Sequence, residues 1–91
     1  MRYIDVRNKK ETSNKALPSG YSSWLDYWEK KKGRKANMCG VINCTGTPVV
    51  GGCVVETGLR AKEYILPMCA NCRGKKEQET FGAWKSDLEP L

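Results

Sequence analysis

Ile4 and Val6 alternate with charged residues at the start of the chain, a period of two that permits a short edge strand. The "NKKETSNK" stretch that follows has no periodicity and reads as polar, mobile chain. Leu17-Pro18-Ser19-Gly20 is turn chemistry, so residues 1–20 are expected to form a flexible basic arm. The period then changes. In "WLDYWEKKK", Trp24 and Trp28 lie four apart and share a helical face, with Leu25 beside them and Tyr21 at the entry. Ser23 supplies an N-cap with Asp26 three residues later, and Gly33 closes a helix predicted over 21–33. The aromatic residues of this helix are assigned to the core, because a small domain needs large side chains inside. Further on, "TPVVGGCVV" is β-branched and predicts a strand with a bulge or a close approach at Gly51-Gly52. "ETGLR" is a turn, and "AKEYILP" is a second strand ending at Pro67, so the two strands form a hairpin. A short polar helix is expected over "RGKKEQET". The tail "FGAWKSDLEPL" is expected to fold back on the core through Phe81, Trp84 and Leu88.

At 91 residues the chain has room for one domain, and a core this small ordinarily needs a staple. The cysteines supply a candidate. Four of the five pair as Cys39-x4-Cys44 and Cys69-x2-Cys72, with 24 residues between the pairs. A tetrahedral zinc ion takes four soft ligands from two such knuckles. The second pair sits where a helix should start, and the backbone N–H groups there favour thiolates. No histidine competes for the metal. Two alternatives stand beside zinc: unliganded buried thiols, and a dithiol redox couple at Cys69 and Cys72, for which the surrounding βαβ pattern is missing. Four thiolates on Zn²⁺ carry excess negative charge, which Arg73, Lys75 and Lys76 are placed in sequence to offset. Knuckle, hairpin, knuckle and helix make a treble-clef arrangement over 39–80. The expected fold is thus a small zinc-stabilised α+β domain spanning 21–91, with the aromatic helix in front of the finger. Cys53 is read as a small core residue, with a spare or alternate metal ligand and a reactive thiol as the other readings.

The segments "CGVINC", "VVGGCVV" and "EYILPMCANC" resemble the HNH endonuclease group of treble clefs, in particular its small bacterial and phage members. The resemblance spans residues 39–73 and is strongest at the knuckles. It implies a nucleic-acid habit, but the catalytic positions depart from the family pattern. The general-base histidine of such nucleases corresponds to Cys53, their asparagine falls near Tyr64, and their metal-binding histidine falls at Arg73. HNH hydrolysis needs an imidazole to activate water and a cation against the scissile phosphate. A chain without histidine cannot supply the imidazole, so no enzymatic activity is expected.

Charge narrows the partner. Residues 1–38 hold ten Lys/Arg against four Asp/Glu, which is the whole net +6, while residues 39–91 hold six of each. Lys30, Lys31, Lys32, Arg34 and Lys35 form a basic run leaving the helix and are the candidate partner-binding residues. Such a run also suits the helix dipole. Two partners fit the basic excess: nucleic acid, or a host protein that the chain would bind as an inhibitor or adaptor, for example a phage-encoded one acting on a nucleic-acid or defence enzyme. No small-molecule substrate is implied. Mean hydropathy is -0.61 and no stretch reaches the length of a membrane span. The N-terminus lacks an apolar signal region, so a reducing cytoplasmic setting is expected, where paired cysteines hold metal more often than they form disulfides.

Overall fold

The computed structural model describes residues 2–9 and 16–91. One antiparallel sheet of five strands organises the chain: β1 (Tyr3–Asn8), β2 (Val50–Glu56), β3 (Glu63–Met68), β4 (Thr80–Trp84) and β5 (Glu89–Pro90), in the order β4-β1-β2-β3-β5. Two helices join it, α1 (Trp24–Lys32) and the single turn α2 (Ala70–Arg73), and a 3₁₀ turn spans Lys85–Asp87. No described helix is long and apolar enough to cross a membrane.

The strand at the start of the chain is internal. β1 pairs with β2 through Val6↔Glu56 and Asn8↔Val54, and with β4 through Tyr3↔Trp84 and Val6↔Phe81. The expectation of an arm over residues 1–20, with at most an edge strand, therefore fails for Tyr3–Asn8. The alternation of Ile4 and Val6 is that of a strand with one covered and one open face, and both of its neighbours come from far along the chain. Lys10–Lys15, the rest of the stretch read as mobile, lies outside the described residues.

Each face of the sheet carries its own core. On one face Val6, Val54, Tyr64, Leu66, Met68, Phe81 and Ala83 pack with Cys39, Cys69 and Cys72. On the other, Cys53 and Ile65 meet Trp28 of α1, with Trp24 and Tyr27 against them. The aromatic helix is thus a core element, as its spacing indicated. Ser23 Oγ accepts from the Asp26 N–H at 3.0 Å, and the N–H of Gly33 closes the helix on Glu29 O at 2.9 Å. The buried Trp28 indole donates to Asp87 O at 2.7 Å, which fastens α1 to the 3₁₀ turn.

Gly51 sets how closely α1 approaches. A Cβ there would lie 2.5 Å from the backbone of Trp24 and Leu25, so the start of α1 rests directly on β2. This is the close approach expected at Gly51-Gly52; the β2–β3 register runs through both glycines without a bulge. The helix expected over "RGKKEQET" is displaced: α2 begins at Ala70 and stops after one turn at Arg73. The tail returns to the sheet as β4 on one side and β5 on the other, further than folding back on the core required.

Candidate metal centre

The first cysteine pair lies in a loop pinned to the sheet by its backbone. Cys39 N–H donates to Gly46 O at 2.9 Å, Gly40 N–H to Pro67 O at 2.7 Å and Ile42 N–H to Gly82 O at 3.0 Å. The loop therefore bridges the end of β3 and the outer edge of β4. The second pair is carried by α2. Cys69 is its N-cap residue and Cys72 lies within its turn. The β2–β3 hairpin separates the pairs in sequence and brings them together in space.

The four sulfurs lie within 4.8 Å of one another. Cys44 Sγ is 3.8 Å from Cys69 Sγ and 3.7 Å from Cys72 Sγ. Metal–sulfur bonds of about 2.3 Å arranged tetrahedrally imply sulfur–sulfur separations of about 3.8 Å. The cluster thus has the dimensions of a tetrathiolate site. Backbone N–H groups point at three of the sulfurs: Cys69 N–H at Cys39 Sγ (3.4 Å), Cys72 N–H at Cys69 Sγ (3.5 Å) and Gly46 N–H at Cys44 Sγ (3.5 Å). Such donors stabilise thiolate over thiol. The N–H of Cys72 accordingly draws the Cys69 thiol down to about 7. Burial pushes the Cys39 and Cys72 thiols up, as low-dielectric surroundings do to any acid that must become an anion. In the absence of a cation these two would stay protonated at neutral pH, and a bound dication reverses that preference. With four protein ligands and no open position, the donor set suits a structural ion and not a hydrolytic one.

Gly46 belongs to this site, although its sequence context gave no sign of it. A Cβ there would meet Cys69 Sγ at 3.1 Å and Cys44 Sγ at 3.5 Å, so a larger residue would crowd the sulfurs that the Gly46 N–H faces. Asn8 is the second residue that the sequence reading missed. It is fully buried. Its Nδ2 is shared among the carbonyls of Cys72 (3.0 Å), Arg73 (3.4 Å) and Lys75 (3.2 Å), which end α2 and orient the Cys72 backbone. The alternation Ile4, Val6, Asn8 was the available signal, since it puts Asn8 on the covered face.

The other candidate residues divide. Arg73 does not offset the charge of the sulfurs as expected; its guanidinium donates to Cys53 O (2.9 Å), Asn8 Oδ1 (3.2 Å) and Lys9 O (3.3 Å), tying α2 to β1 and β2. Lys75 keeps the expected role in part. Its ammonium is held charged first by Glu79, 3.1 Å away, and then by the nearby Cys72 and Cys44. Cys53 is buried on the α1 face, opposite the sulfur cluster. Within the basic run, Lys32 donates to Leu88 O at 2.9 Å and pairs with Glu89 at 3.5 Å. Arg34 pairs with Asp87 at 2.7 Å and lies over the Trp28 ring. Lys30 and Lys35 meet Asp26 and Glu29 at 3.3 and 3.9 Å. Lys31 lies over the Tyr27 ring. Lys32 and Arg34 thus fasten α1 to the tail of the chain, while Lys30, Lys31 and Lys35 lie against residues of α1 itself.

Comparison of the chain with protein-family models, curated proteins and solved structures finds no match to any of them. The likeness to HNH treble clefs accordingly rests on the quoted residues alone.

Proposed function

We propose that the protein is a zinc-stabilised, non-catalytic module that binds nucleic acid through its basic N-terminal half. The observation that carries this reading is the charge asymmetry: all of the net +6 resides in residues 1–38, and the cysteine-bearing half is neutral. A surplus of this kind attracts phosphate chains and gives binding that weakens with salt. Zinc is the ion that best suits four thiolates in a tetrahedral cluster free of oxygen and nitrogen ligands. The order of cysteine loop, hairpin and Cys69-x2-Cys72 turn supports a treble-clef finger of HNH type, built here with a one-turn α2 and a hairpin embedded in a wider sheet.

Loss of catalysis is supported by more than the missing histidine. Cys53 and Tyr64, which stand where the family has its base and asparagine, fall on opposite faces of the sheet, Cys53 opposite Ile65 and Tyr64 opposite Val54. They cannot converge on one phosphate. A second reading, a protein-binding inhibitor or adaptor, draws on Leu59 at the tip of the β2–β3 hairpin, which is fully exposed, and on the exposed Met38 and Val49.

The test is a titration of the zinc-loaded protein with DNA and RNA at two salt concentrations, beside a capture experiment from host lysate. Binding that weakens steeply with salt is the expected result, and the same mixtures supplied with Mg²⁺, Mn²⁺ or Ni²⁺ should show no cleavage. Absence of binding to any nucleic acid, together with one stoichiometric protein partner, would establish the second reading instead. Cleavage that copurifies with the protein and vanishes in a Cys53→Ala variant would overturn the non-catalytic assignment.

A further inference from the structure

We infer that the open half of the sheet, β1 and β4 beside α1, is a stacking platform for single-stranded nucleic acid. This inference rests on the nucleic-acid reading above and names the surface and the form of the ligand. α1 lies over β2, β3 and β5. The same face of β1 and β4 is left uncovered: Tyr3, Asp5, Arg7 and Thr80 are all exposed. Tyr3, 59% exposed, stands directly across from Trp84, and the two rings meet edge to face with centroids 6.1 Å apart. Beside them Gly82 contributes no side chain, and Ile42 and the Tyr3 ring close over it, 3.1 and 3.5 Å from where a Cβ would stand.

Cations frame this aromatic pair. Arg2 and Lys85 are joined through the bond from Lys85 N–H to Arg2 O at 2.9 Å, and with Tyr3 and Ile4 they line a depression of about 420 Å³. Arg7 shares the open face of β1 with Tyr3, whereas Arg2 and Lys85, one residue before Tyr3 and one after Trp84, reach the pair from the ends of the strands. None of the three forms an ion pair among the described residues, in contrast to Lys30, Lys32, Arg34 and Lys35. On the other side of Trp84 a cleft of about 380 Å³, lined in part by Trp28, Asn43, Arg34 and Lys35, extends the surface to the end of α1. Asp5 is the one acidic side chain of β1, and Asp87 is already engaged by Arg34.

An exposed tyrosine ring beside a half-buried Trp84, with cations that form no ion pair among the described residues, matches the needs of unpaired bases. Every base has a π-face that can stack on such a ring, and the backbone phosphates then run beside the cations. A duplex hides its base faces in its own stack and gains nothing from the rings. The basic run, four of whose five cations already face a carboxylate, becomes a secondary contributor.

The experiment measures anisotropy of labelled oligothymidylate, oligouridylate and a mixed-sequence duplex, at two salt concentrations. Four proteins are compared: wild type, Tyr3→Thr, Arg2→Gln/Lys85→Gln, and Lys30→Gln/Lys31→Gln/Lys35→Gln. Zinc content and far-UV circular dichroism are checked in each. Threonine keeps strand propensity at an exposed position, and the double variant removes the cations at the strand ends without touching the rings. Wild type should prefer single strands. Tyr3→Thr should weaken them roughly tenfold, within the roughly 5- to 150-fold span of one lost base stack. The Arg2/Lys85 variant should lower the salt slope by about 1.4, or about 0.7 per lost phosphate contact. Preference for the duplex, or wild-type affinity in both surface variants with loss confined to the Lys30/Lys31/Lys35 variant, would overturn this platform while leaving nucleic-acid binding intact. Failure of wild type to bind any of the three ligands would overturn both readings.

Discussion

Replacing any one of Cys39, Cys44, Cys69 or Cys72 with serine, or withdrawing the metal with a strong chelator, is expected to unfold the cysteine-bearing half of the protein. A structural zinc ion contributes on the order of 10–16 kcal/mol in small fingers, against a net stability of about 5–15 kcal/mol for a typical domain. The four sulfurs are also packed into the larger of the two cores, so their loss is felt by β1, β3 and β4 together. Cys53→Ser, on the opposite face, should leave zinc content unchanged, although the buried hydroxyl will lower stability. Zinc analysis beside thermal unfolding distinguishes the two classes of variant. The pH dependence has a definite sign. Thiols must lose their protons to hold the metal, so the stability that the metal contributes is present at higher pH and is lost as acid returns those protons. Cys39 and Cys72, pushed up by burial, must give up their protons to the metal, so loading at neutral pH should acidify a weak buffer and affinity should rise with pH.

The second large effect is expected at Asn8. Asn8→Leu keeps the volume roughly constant but removes the amide that faces the carbonyls of Cys72, Arg73 and Lys75, and the oxygen that accepts from Arg73. Each buried polar group left without a partner costs about 1–3 kcal/mol, more when charged, so a loss of roughly 3–5 kcal/mol is expected. Groups that orient a metal ligand from behind commonly change metal affinity by about 10–100-fold, and a weakening of that size should accompany the loss of stability. Arg7→Gln, one residue earlier on the exposed face, should stay within about 0.5 kcal/mol of wild type. Chemical denaturation and competitive zinc titration of both variants provide the check. Equal zinc affinity in Asn8→Leu and wild type would mean that Asn8 only fills space.

What could be read from the sequence was local. The Ser23 cap, the stop at Gly33, the β2–β3 hairpin and the two cysteine pairs each declare themselves within a few residues, and each is found where expected. What could not be read was set by partners far along the chain. β1 looked like an arm because its neighbours, residues 54–56 and 80–84, lie some fifty to eighty positions away. Asn8 looked like the first residue of a polar stretch, yet it is buried at the end of α2, where its amide meets carbonyls that the end of that helix leaves open. The basic run was legible as charge but not as function, since Asp87 and Glu89, which neutralise Arg34 and Lys32, come from the far end of the chain.

X-ray absorption at the zinc edge of the natively purified protein tests the metal assignment most directly. One zinc per chain with four sulfur scatterers at about 2.3 Å, and no nitrogen or oxygen neighbour, is the expected spectrum. Protein that is folded with no stoichiometric zinc, or zinc bound by fewer than four sulfurs, would contradict a site built from Cys39, Cys44, Cys69 and Cys72.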